Sequence, residues 1–337
     1  MESLSRSWVD NNVENYGFEM RICSYNILSN FALNNNLYLY SRCLPEHLNP
    51  EYRSNLLLSE LSQLRSDVLC LQEVDQEIFD TVVTKHCLST QSSCSYYRGS
   101  DFAKNGCCII YKNQKFELVE SERIVFAEPE FSYRESMYVA VVNVLKNKSN
   151  SGKNDSIFII CTTHLVYGQD LELVRQRQLK HILNIINEKS ALYNDPPVIL
   201  CGDFNSLPTN ELVSIMIGRP PNPESVLFGY DTSFSELYSL SNQFQFKSAY
   251  PLEDENESFQ SGQYDMGFRF TSCVDGCMSY VDYIFVGRRG GEMFDADRRF
   301  SIRGYLDLPE VMPYILPNER LPSDHLPIKA KLSFSHS

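Results

Sequence analysis

The sequence predicts an α/β fold in which two mixed β-sheets pack together as a β-sandwich, with helices on the outside. The chain has 337 residues, of which 43% are hydrophobic, and this is enough to fill one large core. Strand-like and helical patterns alternate over roughly the first hundred residues, and a run of strand-like segments with polar links follows. This change of pattern does not fit a doubly wound parallel sheet, in which strand and helix alternate throughout.

Hydrophobic spacing locates the individual elements. Four leucines at helical spacing predict a helix over residues 51–65, and the clearest helical pattern covers residues 170–192, with Asp170 as a suitable N-cap. Further helices are predicted near residues 76–88, 209–217 and 233–242. Strands are predicted at residues 20–28, 67–72, 107–112, 116–126, 137–145, 156–163, 197–202, 280–286 and 327–334.

We expect two parts along the chain, a flexible N-terminal arm over residues 1–19 and a single domain over residues 20–337. No apolar run approaches the roughly 18 residues that span a bilayer, and the N-terminus resembles neither a signal peptide nor a transit peptide. The cysteines number eleven, and several stand inside apolar strands, which favours a reducing compartment over a disulfide framework. These are Cys23, Cys70, Cys108, Cys161 and Cys201. We therefore expect a cytoplasmic protein, although a segment upstream of this sequence is left open.

The chain is acidic, with a formal net charge of −13 and a pI of about 5.0. Such a chain does not attract nucleic acid through a broad basic surface. A phosphate-containing substrate is still compatible with this charge, because a carboxylate-rich site contributes negative charge that a bound Mg²⁺ reverses locally.

The most informative stretch is residues 197–208, an apolar strand that ends in Gly202 and then presents Asp203 and Asn205. Alternate residues of an extended chain point the same way, so a carboxylate and a carboxamide should project side by side. Such a pair can hold a hard cation or orient a water molecule. The same residue types also form capped turns, so this stretch alone leaves both interpretations open.

Polar residues follow other strand-like segments in the same manner. They are Asn26, Glu73, His164 and the pair Asp324-His325. This repeated placement predicts one functional site that is assembled from strand ends.

Six short motifs follow one another in the order found in the endonuclease/exonuclease/phosphatase superfamily, which the chain resembles over about residues 20–334. The motifs are residues 24–28 (SYNIL), 71–75 (LQEVD), 163–165 (THL), 202–205 (GDFN), 281–284 (VDYI) and 323–325 (SDH). The resemblance extends to the branch of CCR4-type deadenylases, nocturnin, Angel proteins and the 2′-phosphodiesterase that degrades 2′,5′-oligoadenylate, and it is closest to the last. Residues that follow the pattern of this branch are Leu37, Tyr38, Tyr40, Pro45, Tyr52 and Arg53.

The resemblance implies that residues 20–337 form a catalytic domain with a Mg²⁺ cofactor, for which Mn²⁺ is a possible substitute. Glu73 suits this role from its chemistry as well, because carboxylate oxygens are preferred ligands of hard cations. The other implied ligands are Asn26, Asp203, Asn205 and Asp324.

Catalytic and substrate-binding roles also follow from the resemblance. Asp203 deprotonates or orients the attacking water, and Asn205 holds that water or a phosphate oxygen. His325 donates to a phosphoryl oxygen, and Asp282 keeps its imidazole charged. His164 stabilises the transition state from the opposite strand. The implied substrate-binding residues are Asn26, His164 and Asn205.

Two positions depart from the adenylate-specific members of the branch. A proline and a phenylalanine flank the terminal adenine in those members, and this chain has Gln169 and Cys277 instead. The usual sandwich for a base is therefore not evident. Phe268, Phe270 or Tyr280 are candidates to replace it.

Four other histidines receive no functional role. We expect His47, His86 and His336 to be surface residues and His181 to be solvated on its helix.

The resemblance implies a Mg²⁺-dependent phosphodiesterase that releases 5′-mononucleotides from the 3′ or 2′ end of RNA or 2′,5′-oligoadenylate. One alternative is a phosphatase that removes a 2′,3′-cyclic phosphate from RNA or a 2′-phosphate from a dinucleotide. Another is a catalytically silent RNA-binding module. We expect single-stranded RNA or oligoadenylate as the partner, no membrane association, and a monomer; protein partners are left open.

Overall fold

The structure, a computed structural model, describes residues 6–11, 17–127, 129, 131–148, 157–219, 232–252, 269–290, 300–309 and 315–335. Two mixed β-sheets pack face to face within these residues, and helices lie outside them, so the predicted fold class is confirmed. The strands are β1 (Trp8–Asp10), β2 (Gly17–Asn26), β3 (Val68–Asp75), β4 (Ser92–Arg98), β5 (Asn105–Lys112), β6 (Phe116–Val125), β7 (Val139–Asn147), β8 (Ile157–His164), β9 (Val198–Asp203), β10 (Lys247–Ser248), β11 (Ser272–Val274), β12 (Cys277–Ser279), β13 (Asp282–Gly287), β14 (Phe300–Leu306) and β15 (Ile328–Ser335).

The first sheet has the strand order β1-β14-β15-β2-β3-β5-β4, and the second has the order β10-β13-β9-β8-β7-β6. Strands β2 and β3 are parallel in the first sheet, and β8 and β9 are parallel in the second, whereas the other pairs are antiparallel. Strands β11 and β12 form a separate hairpin. The carboxyl ends of all four parallel strands carry residues that the sequence singled out.

The helices are α1 (Asn30–Asn35), α2 (Pro50–Leu64), α3 (Gln76–Ile78), α4 (Thr84–Thr90), α5 (Glu172–Leu192), α6 (Glu211–Met216) and α7 (Thr232–Phe244). All of them except α1, which was not predicted, lie close to their predicted positions. A π-helical turn (Phe79–Val83) joins α3 to α4, and single 3₁₀ turns occur at Leu37–Tyr40, Pro45–Leu48 and Glu135–Met137. Among the helices that the structure describes, none is long and apolar enough to cross a bilayer.

The predicted N-cap of α5 is wrong. Leu171 stands at the N-cap position, and no side chain caps the helix. The amide of Leu171 instead closes a turn on the carbonyl of Gly168, and this turn leads directly into the first helical residue.

Strict alternation of side chains builds the core. Ile22 and Ile109 from the first sheet face Val141, Ile160 and Ile284 from the second, and all five are buried in one hydrophobic cluster. The opposite face of the first sheet packs against α2, α3 and α4 in a separate buried cluster. The strand cysteines named above are all buried, which agrees with their apolar surroundings.

The expected arm over residues 1–19 is wrong for the part that the structure describes. Trp8–Asp10 form β1, in which Trp8 pairs with Leu306 of β14, and Gly17 already begins β2. Arg6 donates to the carbonyls of residues 306, 307 and 327. An unpaired edge of β14 would leave backbone groups without partners, and β1 satisfies them.

The predictions of surface exposure are wrong for some of the histidines. His47 and His86 are buried, and burial lowers the pKa of His86. His181 is half-buried, with its ring edge-on to Phe126 at 6.1 Å and to Phe131 at 5.9 Å. The 3₁₀ turn that carries His47 and the helices that carry His86 and His181 place these imidazoles against neighbouring residues and away from solvent. His336 lies outside the described residues.

Candidate active site

Three predicted residues form a row across the second sheet. His164 ends β8, Asp203 ends β9 and Asp282 begins β13, and the register pairs His164 with Asp203 and Asp203 with Asp282. Asp203 follows Ile199 and Cys201 in the inward-facing set of β9, so its carboxylate points between the two sheets. The parallel pairing of β8 with β9 and the antiparallel pairing of β9 with β13 therefore bring the three side chains to one edge of the sandwich.

Two further residues reach this edge from the first sheet. Asn26 ends β2 in the inward-facing set, opposite Gln72 of β3. Regular alternation would point Glu73 outward, but the register of β3 shifts between Leu71 and Val74, and Glu73 has a φ of 58°. This bulge turns the Glu73 carboxylate back toward Asn26. A left-handed backbone at a non-glycine residue is strained, and such strain is common at functional sites.

Asn26 joins the two sheets at the site. Its amide nitrogen donates to Glu73 Oε1 and to Asp203 Oδ2, both at 3.0 Å. Its side-chain oxygen, Oδ1, accepts from the backbone amide of Leu28 at 3.0 Å. In this orientation Asn26 holds the two carboxylates in place as a donor, and its implied role as a metal ligand stays a prediction.

His325 lies between two carboxylates. Its Nδ1 is 2.8 Å from Asp282 Oδ2, and its Nε2 is 3.6 Å from Asp203 Oδ2. Burial disfavours the charged imidazolium, but the negative charges of Asp282 and Asp203 outweigh burial and hold the pKa of His325 well above 6.5. His325 is therefore protonated at neutral pH and carries a proton on each ring nitrogen.

Asp324 is buried beside this cluster. Its Oδ2 accepts from the Tyr40 hydroxyl at 2.8 Å. Burial raises the pKa of the Asp324 carboxyl, His325 opposes this shift, and the charge of Glu73 adds to it. Glu73 and Asp324 thus act on each other electrostatically, and the implied role of Asp324 as a metal ligand stays a prediction.

The turn after β9 fixes Asn205. Its backbone amide donates to Asp203 Oδ1, and its side-chain amide donates to the carbonyl of Leu165, both at 2.9 Å. Asn205 therefore ties the turn after β9 to the loop after β8, and its side-chain oxygen remains the acceptor. Gly202 is required just before this turn, because a Cβ there would lie 1.9 Å from the carbonyl oxygen of Thr163.

Several residues that support the site were not predicted from the sequence to belong to it. Ser29 donates to Glu73 Oε2 through both its amide and its hydroxyl, at 3.2 and 3.1 Å, and Asn105 donates to the Ser29 hydroxyl at 3.0 Å. Arg53 is buried and donates to Asn30 Oδ1 and to the carbonyls of residues 27, 28 and 322. A signal existed for Arg53, because it stands on the apolar stripe of its helix, four residues before Leu57.

The site carries a surplus of negative charge that suits a cation. Four carboxylates (Glu73, Asp203, Asp282 and Asp324) meet within the cluster, whereas His325 supplies one positive charge. Ligand atoms of Asp203, Asp282 and His325 lie within 4.8 Å of one another. A protonated imidazole has no lone pair to offer a metal. The oxygens of Glu73 and Asp203 therefore fit a hard divalent cation better, with Asp324 beside them.

The positions that flank a base in adenylate-specific members offer no aromatic ring. Gln169 lies exposed in the turn before α5, and Cys277 is exposed in β12. Phe270 is half-buried against the core, and the buried ring of Tyr280 packs 5.2 Å from the ring of Tyr283. Phe268 lies outside the described residues. The base sandwich that is not evident from the sequence is therefore not formed by these two positions in the structure either.

Comparisons with known proteins agree with this geometry. The model of the Endonuclease/Exonuclease/phosphatase family matches residues 23–325. The chain is 26% identical to protein angel homolog 2 of Danio rerio, over 95% of the chain and 65% of that protein. It is 28% identical to carbon catabolite repressor protein 4 homolog 4 of Arabidopsis thaliana, over 98% of the chain and 81% of that protein.

A solved structure is similar over nearly the whole chain. It is the crystal structure of ANGEL2, described as a 2′,3′-cyclic phosphatase, in complex with adenosine-2′,3′-vanadate. The TM-score is 0.78 at 25% identity, and the match covers 99% of this chain and 100% of that one. Taken with the family match and the site at the strand ends, this likeness shows that the chain belongs to the endonuclease/exonuclease/phosphatase family of phosphoester hydrolases, in the branch of the Angel and CCR4-type proteins.

Proposed function

We propose that this protein is a metal-dependent phosphoesterase that removes a 2′,3′-cyclic phosphate from the end of RNA. The observation that carries the proposal is the position of Asp203, whose Oδ2 is held by Asn26 at 3.0 Å and lies 3.6 Å from both His164 Nε2 and His325 Nε2. One carboxylate thus lies at ion-pair distance from two imidazoles, and this set combines a proton acceptor for water with donors for a phosphoryl oxygen.

The residues divide the work of hydrolysis between them. Release of inorganic phosphate takes two hydrolyses: one water opens the cyclic diester to a phosphomonoester and frees one ribose hydroxyl, and a second water cleaves the remaining ester and frees the other. In each, Asp203 accepts a proton from the attacking water, and His325 donates to a phosphoryl oxygen, with Asp282 holding its charge. His164 contacts the phosphoryl group from the other side. Glu73 and Asp203 would hold Mg²⁺, which would supply neutralisation of charge on the phosphate. Hydrogen-bond donors that are fixed before the reaction stabilise developing charge without reorganisation.

The choice of a cyclic phosphate is supported by the likeness to ANGEL2 over nearly the full length of the chain. A cyclic phosphate is on the terminal ribose of the RNA, so only this end of the substrate has to reach the site. Gln169 and Cys277, which do not form a base sandwich, are compatible with a substrate that is recognised at its phosphate.

A second candidate is the 3′-exoribonuclease or 2′-phosphodiesterase that the sequence analysis placed first. It is supported by the likeness to the CCR4 homologue over 98% of the chain. The same residues serve this reaction, because only the position of the scissile bond differs. A silent binding module is disfavoured, since every predicted catalytic position keeps its residue in the assembled cluster.

The test is a substrate panel in Mg²⁺, in Mn²⁺ and in EDTA. The panel contains one RNA with a 2′,3′-cyclic phosphate end, the same RNA with a free 3′ hydroxyl, poly(A), 2′,5′-oligoadenylate and a dinucleotide with a 2′-phosphate. We expect inorganic phosphate from the first RNA, and no release in EDTA or with Asp203→Asn. Release of mononucleotides instead would establish the second candidate, and no hydrolysis of any substrate would reject both.

A further inference from the structure

The loop after β8, residues 165–168, has an unusually well fixed backbone. Asn205 donates to its first carbonyl at 2.9 Å, and Gln178 accepts from its second amide at 3.0 Å. Arg175 donates to its second and fourth carbonyls at 3.2 and 2.7 Å. Side chains from other elements thus define the course of this loop at the edge of the site.

One side chain of this loop is nevertheless exposed. The backbone amide of Tyr167 donates to the Tyr138 hydroxyl at 3.3 Å, and its carbonyl accepts from Arg134 Nη2 at 2.8 Å. The Tyr167 residue itself is 68% exposed. A rigid backbone that presents an aromatic ring to solvent is suited to ligand binding, because little entropy is lost when the ring is covered.

The backbone of Tyr167 is linked to the active site through Tyr138. Tyr138, which holds the Tyr167 amide, packs edge-on against the imidazole of His164 at 5.4 Å. Tyr167 follows His164 by three residues, so their Cα atoms are at most about 11 Å apart.

Two more exposed rings extend this surface. Tyr133 precedes Arg134 in sequence and is 65% exposed, and the 67% exposed Phe102 lies 6.1 Å from it between ring centroids. Exposed Arg134 directly follows Tyr133, and exposed Lys104 stands two residues after Phe102. We call Tyr167, Tyr133 and Phe102 the aromatic platform. Its three exposed rings have these two cationic residues near them in sequence, on a chain whose net charge is −13.

We propose that the aromatic platform binds successive bases of a single-stranded nucleic acid whose terminal phosphoester lies at Asp203 and His325. Each base stacks on a ring, and the exposed cations contact the phosphates between the bases. This inference rests on the proposed function, since it assigns the rest of the substrate to a surface beside the same site. It places base binding on Tyr167 rather than on the neighbouring position of Gln169.

The platform has two consequences for substrate choice. Stacking is tolerant of sequence, because every base has a flat face, so binding should depend weakly on which bases are present. Bases inside a duplex are already stacked on each other, so a duplex of the same sequence should bind weakly.

The test measures binding without turnover. The probe is a fluorescent single-stranded 2′-O-methyl RNA of about ten nucleotides, followed by anisotropy in EDTA. We expect Tyr167→Ala to weaken binding by about 5- to 150-fold, as loss of one base stack does. Tyr167→Phe keeps the ring and should bind like the wild type. Leu192→Ala is the matched control, because Leu192 is 70% exposed at the end of α5.

Turnover separates this inference from the proposed function. With hydrolysable RNA, Tyr167→Ala should raise KM and leave kcat unchanged. An active wild type whose Tyr167→Ala, Tyr133→Ala and Phe102→Ala variants keep its KM and its affinity for the probe would overturn the platform and leave the proposed function standing. The platform also fails if the wild type does not bind the probe or binds a duplex as tightly. A wild type that hydrolyses no substrate of the panel rejects the proposed function, while anisotropy still decides on the platform.

Discussion

The replacement Asp282→Asn tests whether His325 acts as a charged donor. The amide keeps the size of the carboxylate and still accepts from His325 Nδ1, which lies 2.8 Å from Asp282 in the wild type. It removes the negative charge that opposes the effect of burial on the imidazolium. The pKa of His325 should therefore fall, and a larger fraction of the imidazole should be neutral at a given pH.

The size of the effect follows from this distance. Two unit charges 2.8 Å apart attract by about 6 kcal/mol at an effective dielectric constant of about 20. The remaining hydrogen bond and the charge of Asp203 retain part of this attraction, and loss of the rest should move the pKa of His325 down toward its usual value. Loss of a charged proton donor should then lower kcat/KM by about 10²- to 10⁴-fold.

The assay is kcat/KM against pH between about 6 and 8.5. A group with a lowered pKa loses its proton as the pH rises through the new value, so the defect of Asp282→Asn should grow with pH. Asp195→Asn, at a surface ion pair with Arg289, is the control for loss of one carboxylate. A variant that keeps the wild-type rate and pH profile would refute the role of Asp282.

The same pair makes folding stability depend on pH. Because folding raises the pKa of His325, its contribution is fully present below about pH 6.5, its unfolded value, and is lost as the pH rises through the folded value. Thermal unfolding in EDTA should therefore show a difference between the wild type and Asp282→Asn that is largest near about pH 6.5 and shrinks once the pH exceeds the folded pKa of His325. An Asp282→Asn variant as stable as the wild type near about pH 6.5 would show that the charged pair does not stabilise the folded protein.

Three further predictions concern the metal site, a buried cation and a close approach of strands. Single-turnover rates should recover with excess Mg²⁺ for Glu73→Gln but not for Asp203→Asn, which loses about 10²- to 10⁴-fold; equal recovery would make Asp203 chiefly a ligand. Arg53→Leu leaves several buried carbonyls without a donor, so urea unfolding should show a loss of about 3–5 kcal/mol, and a loss below about 1 kcal/mol would contradict this. Gly202→Ala should lower the melting temperature, because its Cβ would lie 1.9 Å from a backbone oxygen, whereas Gly290→Ala, at a φ of 66° with nothing within 4 Å, is the control for backbone strain without a clash. A Gly202→Ala variant as stable as that control would show that the two parallel strands can separate there.

The sequence was sufficient for the local features of this protein. The periods of its apolar residues predicted the main strands and helices to within a few residues, because each pattern reflects which face of one element is buried. The elements that were not predicted are α1, β1, β4, β10, β11, β12 and β14. The order of the six motifs also indicated the family, and the family match confirmed it. The position of Arg53 on the apolar stripe of its helix indicated a buried cation. The sequence did not indicate which oxygens would accept its hydrogen bonds.

Pairing between distant parts of the chain lay beyond the sequence. Trp8–Asp10 form a strand only because the edge of β14 is available to them. His86 is buried because α4 packs against the first sheet, and the sequence next to His86 does not indicate this packing. In both cases the deciding partner is remote in sequence.

The sequence by itself therefore determined which side chains stand at strand ends, since alternation along each strand is a local property. Only the tertiary structure decided that Asp203 and His325 meet at 3.6 Å and that Asn26 bridges Glu73 to Asp203 across the two sheets. The bulge that turns Glu73 inward is likewise invisible in the sequence, because regular alternation would have placed that carboxylate outward. These distances depend on strand register and on the packing of one sheet against the other, and both are fixed by contacts between residues far apart in the chain.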